Sequence, residues 1–440
     1  AAQLIFGGVG ANGKLPVSVG NKFKEGDGLT ISGGLRFKYS LPEEANMNAE
    51  LLNRKIDSLM QQALDLKAIP GGQILVARDQ KVIFHKAYGT HSYSDTTKVK
   101  LTDLYDLASI TKIASVLPAL MKLKDENKFS LEAGLDTYLP YFRNSNKAGI
   151  SMRKILAHQA GFKAWIPYWE TTFRKNGSFK WKTIKKDSSA RFPVKIAENM
   201  WLFKDYEKEI FKQIKNSELE KEQKYLYSGL AFYVFPSIIE KQANEDFVTY
   251  LNHNFYNKLG ATSLTYNPLQ RYNLNEIVPT ENDFFFRNEA IHGSVHDEGA
   301  IMMNGVSGNA GLFSNANDLA KLMQLYLNKG TYGGVSYISE GTLEEFTKYQ
   351  FPENDNRRGL GFDKPSLGER TVNGNTAVSA SDSSFGHTGF TGTMVWMDPE
   401  SKLLFIFLSN RVQPTRNNTL LYKLNTRTNI QQVLYESILK

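Results

Sequence analysis

Residues 107–116 read LASITKIASV, and they contain a serine followed three positions later by a lysine, Ser109-Ile-Thr-Lys112. The apolar residues between 110 and 121 recur at helical spacing, so the stretch predicts a buried helix with Ser109 in its first turn. The first N–H groups of a helix have no partner within the helix and lie in its positive field. The backbone N–H of Ser109 could therefore bind a developing oxyanion.

The Ser-x-x-Lys spacing alone does not assign a function, because it occurs again in the stretches that begin at Ser151 and at Ser437. Helical residues three apart project from the same face, so the Lys112 amine can approach the Ser109 hydroxyl. A buried lysine favours the neutral amine, which can accept a proton, whereas an exposed lysine stays charged. Two interpretations remain open: a nucleophile with its proton acceptor, or a serine that caps a helix and is followed by a solvated lysine.

Composition limits the classes of protein that the chain can belong to. At 440 residues and 41% hydrophobic composition it is long enough for two or three domains with real cores. It has no cysteine, which excludes disulfides, thiolate catalysis and Cys-ligated zinc and fits either a reducing cytosol or a bacterial periplasm. Its net charge of +8 forms no basic stripe of the kind that nucleic acid needs. The sequence shows no transmembrane run and no secretory signal, so it predicts a soluble chain whose targeting segment lies outside it.

The two ends of the chain predict the same kind of structure. Each end supplies a helix and a pair of antiparallel strands, while the residues between them, about 108–329, are mostly helical. We therefore expect an α/β (α+β) fold, with an antiparallel sheet flanked by N- and C-terminal helices and a mostly helical second part. The predicted helices are 46–66, 110–126, 152–158, 230–243, 319–328 and 428–439, and the predicted strands are 73–77, 81–87, 392–397 and 403–409.

Two further motifs give the Ser-x-x-Lys pair a context. Tyr227-Ser-Gly229 opens a predicted helix, and His387-Thr-Gly389 precedes the first of the closing strands. In this order the three motifs resemble those of the serine β-lactamase and penicillin-binding protein family, in the branch of the class C enzymes and related esterases. The connecting segments 117–142, 155–162 and 305–323 resemble that family as well. The similarity spans about 45–440, with an α/β part at about 45–107 and 330–440 and a helical part at 108–329.

The resemblance implies a role for each matched residue. Ser109 would attack a carbonyl and form an acyl-enzyme, and Lys112 and Tyr227 would share the proton transfer. The backbone N–H groups of Ser109 and Phe390 would form the oxyanion hole. His387, Thr388 and Gly389 would line the strand that binds the substrate, and Gly229 would stand beside it. No metal and no cofactor is predicted.

Gly229 and His387 depart from the family pattern. Gly229 stands where the family has Asn or Asp, so a side-chain contact to the substrate amide is missing. His387 stands where β-lactamases have Lys; neutral at pH 7, it would hold a substrate carboxylate less firmly, or it could simply pack beside the strand. Strict Tyr-x-Asn matches occur instead at the ends of two predicted helices, Tyr250-Leu-Asn252 and Tyr326-Leu-Asn328.

The implied function is an amide hydrolase acting on a small-molecule or muropeptide substrate in peptidoglycan recycling. Some relatives in this branch are similar to N-acetylmuramyl-L-alanine amidases and others to D-alanyl-D-alanine carboxypeptidases, and the sequence does not separate the two. One alternative is a catalytically impaired module that only binds muropeptides, which Gly229 favours. A β-lactamase or an esterase is the other.

Two more segments carry candidate binding residues. Residues 163–224 read as a basic, aromatic insertion whose tryptophans and tyrosines could stack on a sugar or peptide, or form the small core of a lid. The spacing of His292 and His296 resembles that of a metal-binding pair, but the Gly293 and Ser294 between them favour a loop. We expect His296 or Asp297 to shape the site rather than to bind an ion. The aromatic residues of the insertion include Trp165, Tyr168, Trp169, Trp181 and Trp201.

The first 44 residues predict a separate unit. AAQLIFGG at 1–8 and NGKLPVSV at 12–19 resemble the end of the second domain of family-3 glycoside hydrolases. If so, a β-N-acetylglucosaminidase-like domain precedes this chain in a longer polypeptide. That pairing implies a bacterial protein located in the periplasm or associated with the cell envelope.

Overall fold

A computed structural model describes residues 2–222 and 224–439 of the chain. Ala1 and Lys440, which limit the predicted units 1–44 and 45–440, lie outside the described residues, and so does Gln223 of the predicted insertion. Lys440 also ends the Ser-x-x-Lys stretch that begins at Ser437.

Six strands form the central sheet. In chain order they are β1 (Lys38–Tyr39), β2 (Gly71–Arg78), β3 (Lys81–Gly89), β4 (Phe385–Thr388), β5 (Met394–Asp398) and β6 (Leu403–Ser409). Their spatial order is β1-β3-β2-β6-β5-β4, and every pair is antiparallel except β1 with β3. The two halves of the chain therefore meet at the pairing of β2 with β6, where Val76 lies opposite Phe405.

Both faces of β5 and β6 are covered, which is why β6 reads as a continuous apolar run. Successive residues alternate between two buried clusters, since side chains in a strand point to opposite faces. Leu75, Val395 and Ile406 belong to the larger cluster, which includes the helical part. Ile74, Trp396 and other residues on the opposite face belong to the smaller one.

Two terminal helices, Ala49–Asp65 and Thr426–Glu436, cover the smaller cluster. The first begins at the N-cap Asn48, whose side chain accepts a hydrogen bond from the Leu51 N–H at 2.9 Å. Its residues Leu52, Ile56 and Met60 recur every four positions and are fully buried, as expected for one face of a helix. The predicted α/β fold with flanking terminal helices is confirmed.

The structure corrects three details of the predicted elements. Residues 385–388 form an edge strand, β4, which the apolar pattern did not predict because Gly386 and His387 interrupt it, and which only the family resemblance implied. The predicted helix 110–126 contains a π-helical turn, Lys112–Val116, followed by the α-helix Leu117–Asp125. The predicted helix 230–243 is divided into Leu230–Tyr233 and Phe235–Ala243, with Pro236 in the first turn of the second helix.

The helical part of the fold also holds several short strands. One small sheet has three strands, Tyr105–Asp106, Leu312–Ser314 and Thr265–Tyr266, with Leu312–Ser314 in the middle. Its strand Tyr105–Asp106 comes just before Ser109 in the chain. The other helices are Leu135–Tyr138, Met152–Leu156, Tyr206–Asn216, Phe247–Leu251, Asn257–Leu259, Glu298–Met302, Ala316–Leu327, Glu340–Thr347 and Leu420–Lys423, with Ala2–Ile5 at the N-terminus. Two-stranded ribbons lie at Glu281–Asp283 with Glu289–Ile291 and at Thr331–Tyr332 with Val335–Ser336.

The insertion at 163–224 forms a three-stranded sheet (Ile184–Lys185, Met200–Leu202, Val194–Ala197) and the helix Tyr206–Asn216. Its aromatic side chains divide into two groups. Tyr168 is buried in the larger cluster, and Trp169 packs against Phe173 and against Phe286 outside the insertion, so these side chains join the insertion to the main core. Trp165 and Trp181 are exposed, at 56% and 55%.

The N-terminal segment is tied to the sheet at its end. Lys38–Tyr39 forms β1, and the preceding Phe37 is buried in the larger cluster. The predicted boundary at residue 44 therefore falls after a strand that belongs to the central sheet.

Candidate active site

Ser109 lies on a turn that connects the strand Tyr105–Asp106 to the helix carrying Lys112. Ala108 adopts a φ of 47°, in the left-handed region that residues with a side chain rarely enter. The Asp106 carboxylate holds this turn by accepting hydrogen bonds from the N–H of Ala108 at 2.8 Å and of His296 at 2.7 Å. Burial raises the pKa of Asp106. The turn presents the Ser109 side chain to a cavity.

Lys112 and Tyr227 converge on the Ser109 hydroxyl. Lys112 Nζ lies 2.9 Å from Ser109 Oγ, and the Tyr227 hydroxyl lies 3.0 Å from the same atom. Lys112 is only 2% exposed, and its Nζ also donates to the Asn309 carbonyl at 3.0 Å. It lies 5.3 Å from the centre of the Phe232 ring, so its surroundings are largely apolar. Two groups able to exchange a proton thus contact one hydroxyl.

Ser109 and Phe390, whose backbone N–H groups are the predicted oxyanion donors, both line this cavity. Within residues 2–222 and 224–439, neither N–H donates a hydrogen bond. Gly389 brings the two segments together, because a Cβ on it would lie 2.1 Å from Thr393 Oγ1 and 2.6 Å from the Leu107 carbonyl oxygen. The arrangement leaves both donors available to an oxyanion.

The cavity has a volume of about 350 Å³. It brings together five of the eight residues that the family resemblance assigns to the site, namely Ser109, Lys112, Tyr227, Gly229 and Phe390, and His296 and Asp297 line it as well. His387, Thr388 and Gly389 are not among its lining residues. Trp165 of the insertion does line the cavity, and this residue connects the insertion to the site.

His387 is buried beside the site, where its ring centre lies 5.9 Å from that of Tyr227. Its Nδ1 lies 2.7 Å from the carbonyl oxygen of Thr388, which assigns the ring proton to Nδ1. Burial, with the nearby charges of Arg358 and Lys112, lowers the pKa of His387 well below its usual value. His387 thus lies within β4 with its ring buried beside Tyr227.

Sequence reasoning missed two residues that support Tyr227. The His158 ring lies 4.6 Å from the Tyr227 ring, and its Nδ1 accepts a hydrogen bond from the Ser228 N–H at 3.2 Å. The Arg358 guanidinium lies 5.4 Å from the Tyr227 ring centre and forms an ion pair with Asp363 at 3.3 Å. His158 lies in the segment 155–162 that resembles the family and Arg358 lies outside the matched segments, but only the tertiary fold places both beside Tyr227.

A charged network built around Arg416 borders the cavity. The Arg416 guanidinium donates to Glu281 at 2.7 Å and to Glu298 at 2.8 Å, and His296 also contacts Glu281. Although burial alone would raise it, hydrogen bonds from His296 and Arg416 lower the pKa of Glu281 to about 2. Asp297 accepts from the Tyr233 hydroxyl at 2.8 Å and caps the helix that begins at Glu298. His296, Asp297, Glu298 and Arg416 of this network line the cavity, and the His296 N–H ties the network to the Ser109 turn through Asp106.

His292 and His296 point to different partners. His292 Nε2 lies 2.6 Å from the Ile277 carbonyl oxygen, while His296 Nε2 contacts Glu281. The part of the chain that the structure describes holds no group of three or more His, Asp or Glu side chains arranged to bind a metal ion. The two strict Tyr-x-Asn matches lie elsewhere, since neither Tyr250 nor Tyr326 borders the cavity.

We expect protonation of His158 to destabilise the fold as the pH falls. Burial and the charges of Arg358 and Lys112 hold the pKa of His158 well below its usual 6.5. Below pH 6.5 the unfolded chain therefore binds a proton that the folded chain does not, and stability falls by up to about 1.4 kcal/mol per pH unit for this group. Urea unfolding should show that the free energy of unfolding falls less between pH 7 and pH 5 for His158→Gln than for the native chain. Parallel pH curves for the two proteins would contradict this.

Comparison with known proteins gives consistent matches. Residues 56–428 match the family model described as Beta-lactamase. A protein of Escherichia coli (strain K12), provisionally named D-alanyl-D-alanine carboxypeptidase, is 31% identical over 405 residues, covering 84% of this chain and 85% of that protein. A protein of Salmonella enteritidis PT4 with the same provisional name is 30% identical over 403 residues, with the same coverage of both chains.

Solved structures share the fold at lower identity. The hydrolase EstCE1, described as having promiscuous acyltransferase activity, superposes with a TM-score of 0.61 at 17% identity, over 87% of this chain and 99% of that one. D-alanine carboxypeptidase AmpC from Burkholderia cenocepacia gives a TM-score of 0.61 at 14% identity, over 89% of this chain and 100% of that one.

Among the described residues, no helix is both long enough and apolar enough to cross a membrane.

Proposed function

The chain belongs to the Beta-lactamase family and is a serine hydrolase, and from that premise we propose that it forms an acyl-enzyme on Ser109 and cleaves an amide in peptidoglycan-derived peptides. The observation that carries the proposal is the convergence of Lys112 Nζ and the Tyr227 hydroxyl on Ser109 Oγ. A serine hydroxyl is a weak nucleophile unless a neighbouring group takes its proton.

The proposed reaction has two halves. Ser109 Oγ attacks the amide carbonyl carbon, its proton passes to Lys112 or Tyr227, and the N–H groups of Ser109 and Phe390 stabilise the oxyanion. The same pair returns the proton to the leaving nitrogen as the C–N bond breaks, which leaves an ester on Ser109. Water then attacks the ester, gives its proton to the pair, and releases the acid with the hydroxyl restored.

Two bonds are candidates for cleavage. The provisional name of the Escherichia coli relative favours a D-alanyl-D-alanine carboxypeptidase. The pairing of Arg416 with Glu281 and Glu298 favours an N-acetylmuramyl-L-alanine amidase, because an arginine that is already neutralised attracts a free substrate carboxylate weakly. We place the carboxypeptidase first and the amidase second.

Turnover of matched substrates tests the proposal. We expect the purified chain to release D-alanine from a pentapeptide stem ending in D-Ala-D-Ala faster than it hydrolyses nitrocefin or a short acyl ester, as measured by chromatography and mass spectrometry. Cleavage of the muramyl-L-alanine bond alone would select the amidase. Binding of the muropeptides without any turnover, and without labelling by a fluorophosphonate, would instead show the muropeptide-binding module that Gly229 allows.

We also propose that the protein works at the bacterial cell envelope, where its proposed substrates are found. The glycosidase resemblance of residues 1–44 stays a sequence-based prediction, because the family match begins at residue 56 and none of the comparisons supports an upstream glycosidase domain.

A further inference from the structure

Gly229 leaves one side of the cavity without a side chain. Its backbone has a φ of −82° and a ψ of −13°, which any residue adopts, so the conformation does not require glycine. A Cβ placed on Gly229 would have as its nearest neighbour the Cβ of Asn309, at 4.0 Å. Position 229 therefore faces open space bounded by the Asn309 side chain.

We propose that Asn309 supplies the side-chain amide that binds the acylamino carbonyl of the substrate, in place of a side chain at position 229. The substrates selected are those with an N-acylated amino acid on the acyl side of the scissile bond. This inference rests on the proposed acyl transfer at Ser109 and adds a residue that determines specificity.

The Asn309 side chain has a free donor at the cavity wall. Its Oδ1 accepts a hydrogen bond from the Ser307 hydroxyl at 2.6 Å, which leaves Nδ2 with two N–H groups. Across residues 2–222 and 224–439, Nδ2 donates to no protein group, and it is not sealed from solvent. Asn309 borders the same cavity as Ser109 and Gly229.

The backbone around Asn309 is fixed next to the reacting groups. Its carbonyl accepts the hydrogen bond from Lys112 Nζ at 3.0 Å. Two residues earlier, the Ser307 carbonyl accepts from the Tyr266 hydroxyl at 2.9 Å, and that hydroxyl lies 2.9 Å from Ser115 Oγ on the helix that carries Lys112. The backbone at Asn309 is thus held in place relative to Lys112 by the hydrogen bonds to its own carbonyl and to that of Ser307.

A neutral amide donor at this place discriminates between substrates. An N-acylated substrate can pair its acyl carbonyl oxygen with Nδ2, whereas a simple ester leaves the donor unpaired when it displaces water from the cavity. A polar mismatch of this kind typically changes kcat/KM by roughly tenfold to hundredfold.

The test compares two thioesters with the same leaving group, an N-acyl-D-alanyl thioester and a propionyl thioester. For Asn309→Ala we expect the ratio of their kcat/KM values, acylated over simple, to fall at least tenfold. In the double variant Asn309→Ala/Gly229→Asn, an amide returns from the opposite side of the same space, and we expect at least part of the ratio to return. Asn254→Ala is the matched control, because Asn254 lies outside the cavity on the turn Asn252–Tyr256.

Fluorophosphonate labelling separates this inference from the proposed function. The reagent reports the nucleophile without needing an acylamino group, and thermal unfolding confirms that each variant is folded. A native chain that is labelled and cleaves both thioesters, with a ratio that Asn309→Ala leaves within twofold, would overturn the role of Asn309 alone. A folded native chain that neither labels nor cleaves would overturn the proposed function as well.

Discussion

Replacing Ser109 with alanine is expected to abolish fluorophosphonate labelling and to lower turnover of every substrate by about 10³-fold or more. The variant removes the only hydroxyl that both Lys112 Nζ and the Tyr227 hydroxyl contact in the described site. Its oxyanion donors are backbone N–H groups and remain. Any rate that remains above that of the uncatalysed reaction in water would therefore come from substrate binding and these donors.

Ser151→Ala is the matched control, because Ser151 begins a second Ser-x-x-Lys stretch with a different role. Its hydroxyl accepts a hydrogen bond from the Lys154 N–H at 3.4 Å and caps the helix Met152–Leu156. We expect its loss to cost about 0.5–2 kcal/mol of stability and to leave labelling intact. Equal labelling of native chain, Ser109→Ala and Ser151→Ala, with the label mapped to another residue by mass spectrometry, would refute the assignment of the nucleophile.

The fold could be predicted largely from strong local patterns. The helix Ala49–Asp65 and the strand β6 have long apolar runs or clear periodicity, and their predicted bounds agree with the structure within a few residues. The local pattern did not show the edge strand β4, because it is four residues long and contains Gly386 and His387, which carry no strand signal. Its pairing with β5 depends on the register of the sheet, which no local pattern encodes.

The site divides in the same way between local motifs and tertiary contacts. Ser109, Lys112 and Tyr227 stand in short motifs, and the structure brings all three within hydrogen-bond distance. Asn309 and Arg416 come from segments far apart in sequence, and only folding places them around the same cavity. The motif also assigned His387 to the substrate strand, but it could not show that the ring is buried.

Of the two roles first considered for Ser109, the helix cap followed by a solvated lysine does not match the structure, because Lys112 is buried and Ser109 Oγ contacts Lys112 Nζ and the Tyr227 hydroxyl. The turn at Ala108 and the helical segment after it leave the Ser109 N–H without a partner in the described residues, as the start of a helix does. The same turn places the hydroxyl against Lys112 and Tyr227. One local conformation thus supplies both the nucleophile and one of its oxyanion donors.

Replacing Lys112 with methionine should slow acylation of Ser109 by about 10²- to 10⁴-fold, the usual contribution of a positioned proton acceptor. Methionine has a similar length and suits the apolar surroundings made by the rings of Tyr227 and Phe232. Because the lysine is buried without a carboxylate partner in the described residues, its removal should not lower the unfolding temperature. Loss of activity with retained stability would separate proton transfer from packing.

Lys112→Arg and Lys124→Met complete the test of proton transfer. A guanidinium stays charged and cannot accept the serine proton, so we expect Lys112→Arg to be no more active than Lys112→Met. Lys124 lies on the next helix, where its Nζ forms an ion pair with Glu345 at 2.9 Å, and its replacement by methionine should change stability by less than about 1 kcal/mol and leave acylation unchanged. The rate of acylation, followed by the burst of leaving group, decides between the two proton acceptors. A Lys112→Met burst within tenfold of the native rate would assign the proton transfer to Tyr227, whose hydroxyl would then be the one group left in contact with Ser109 Oγ in the described site.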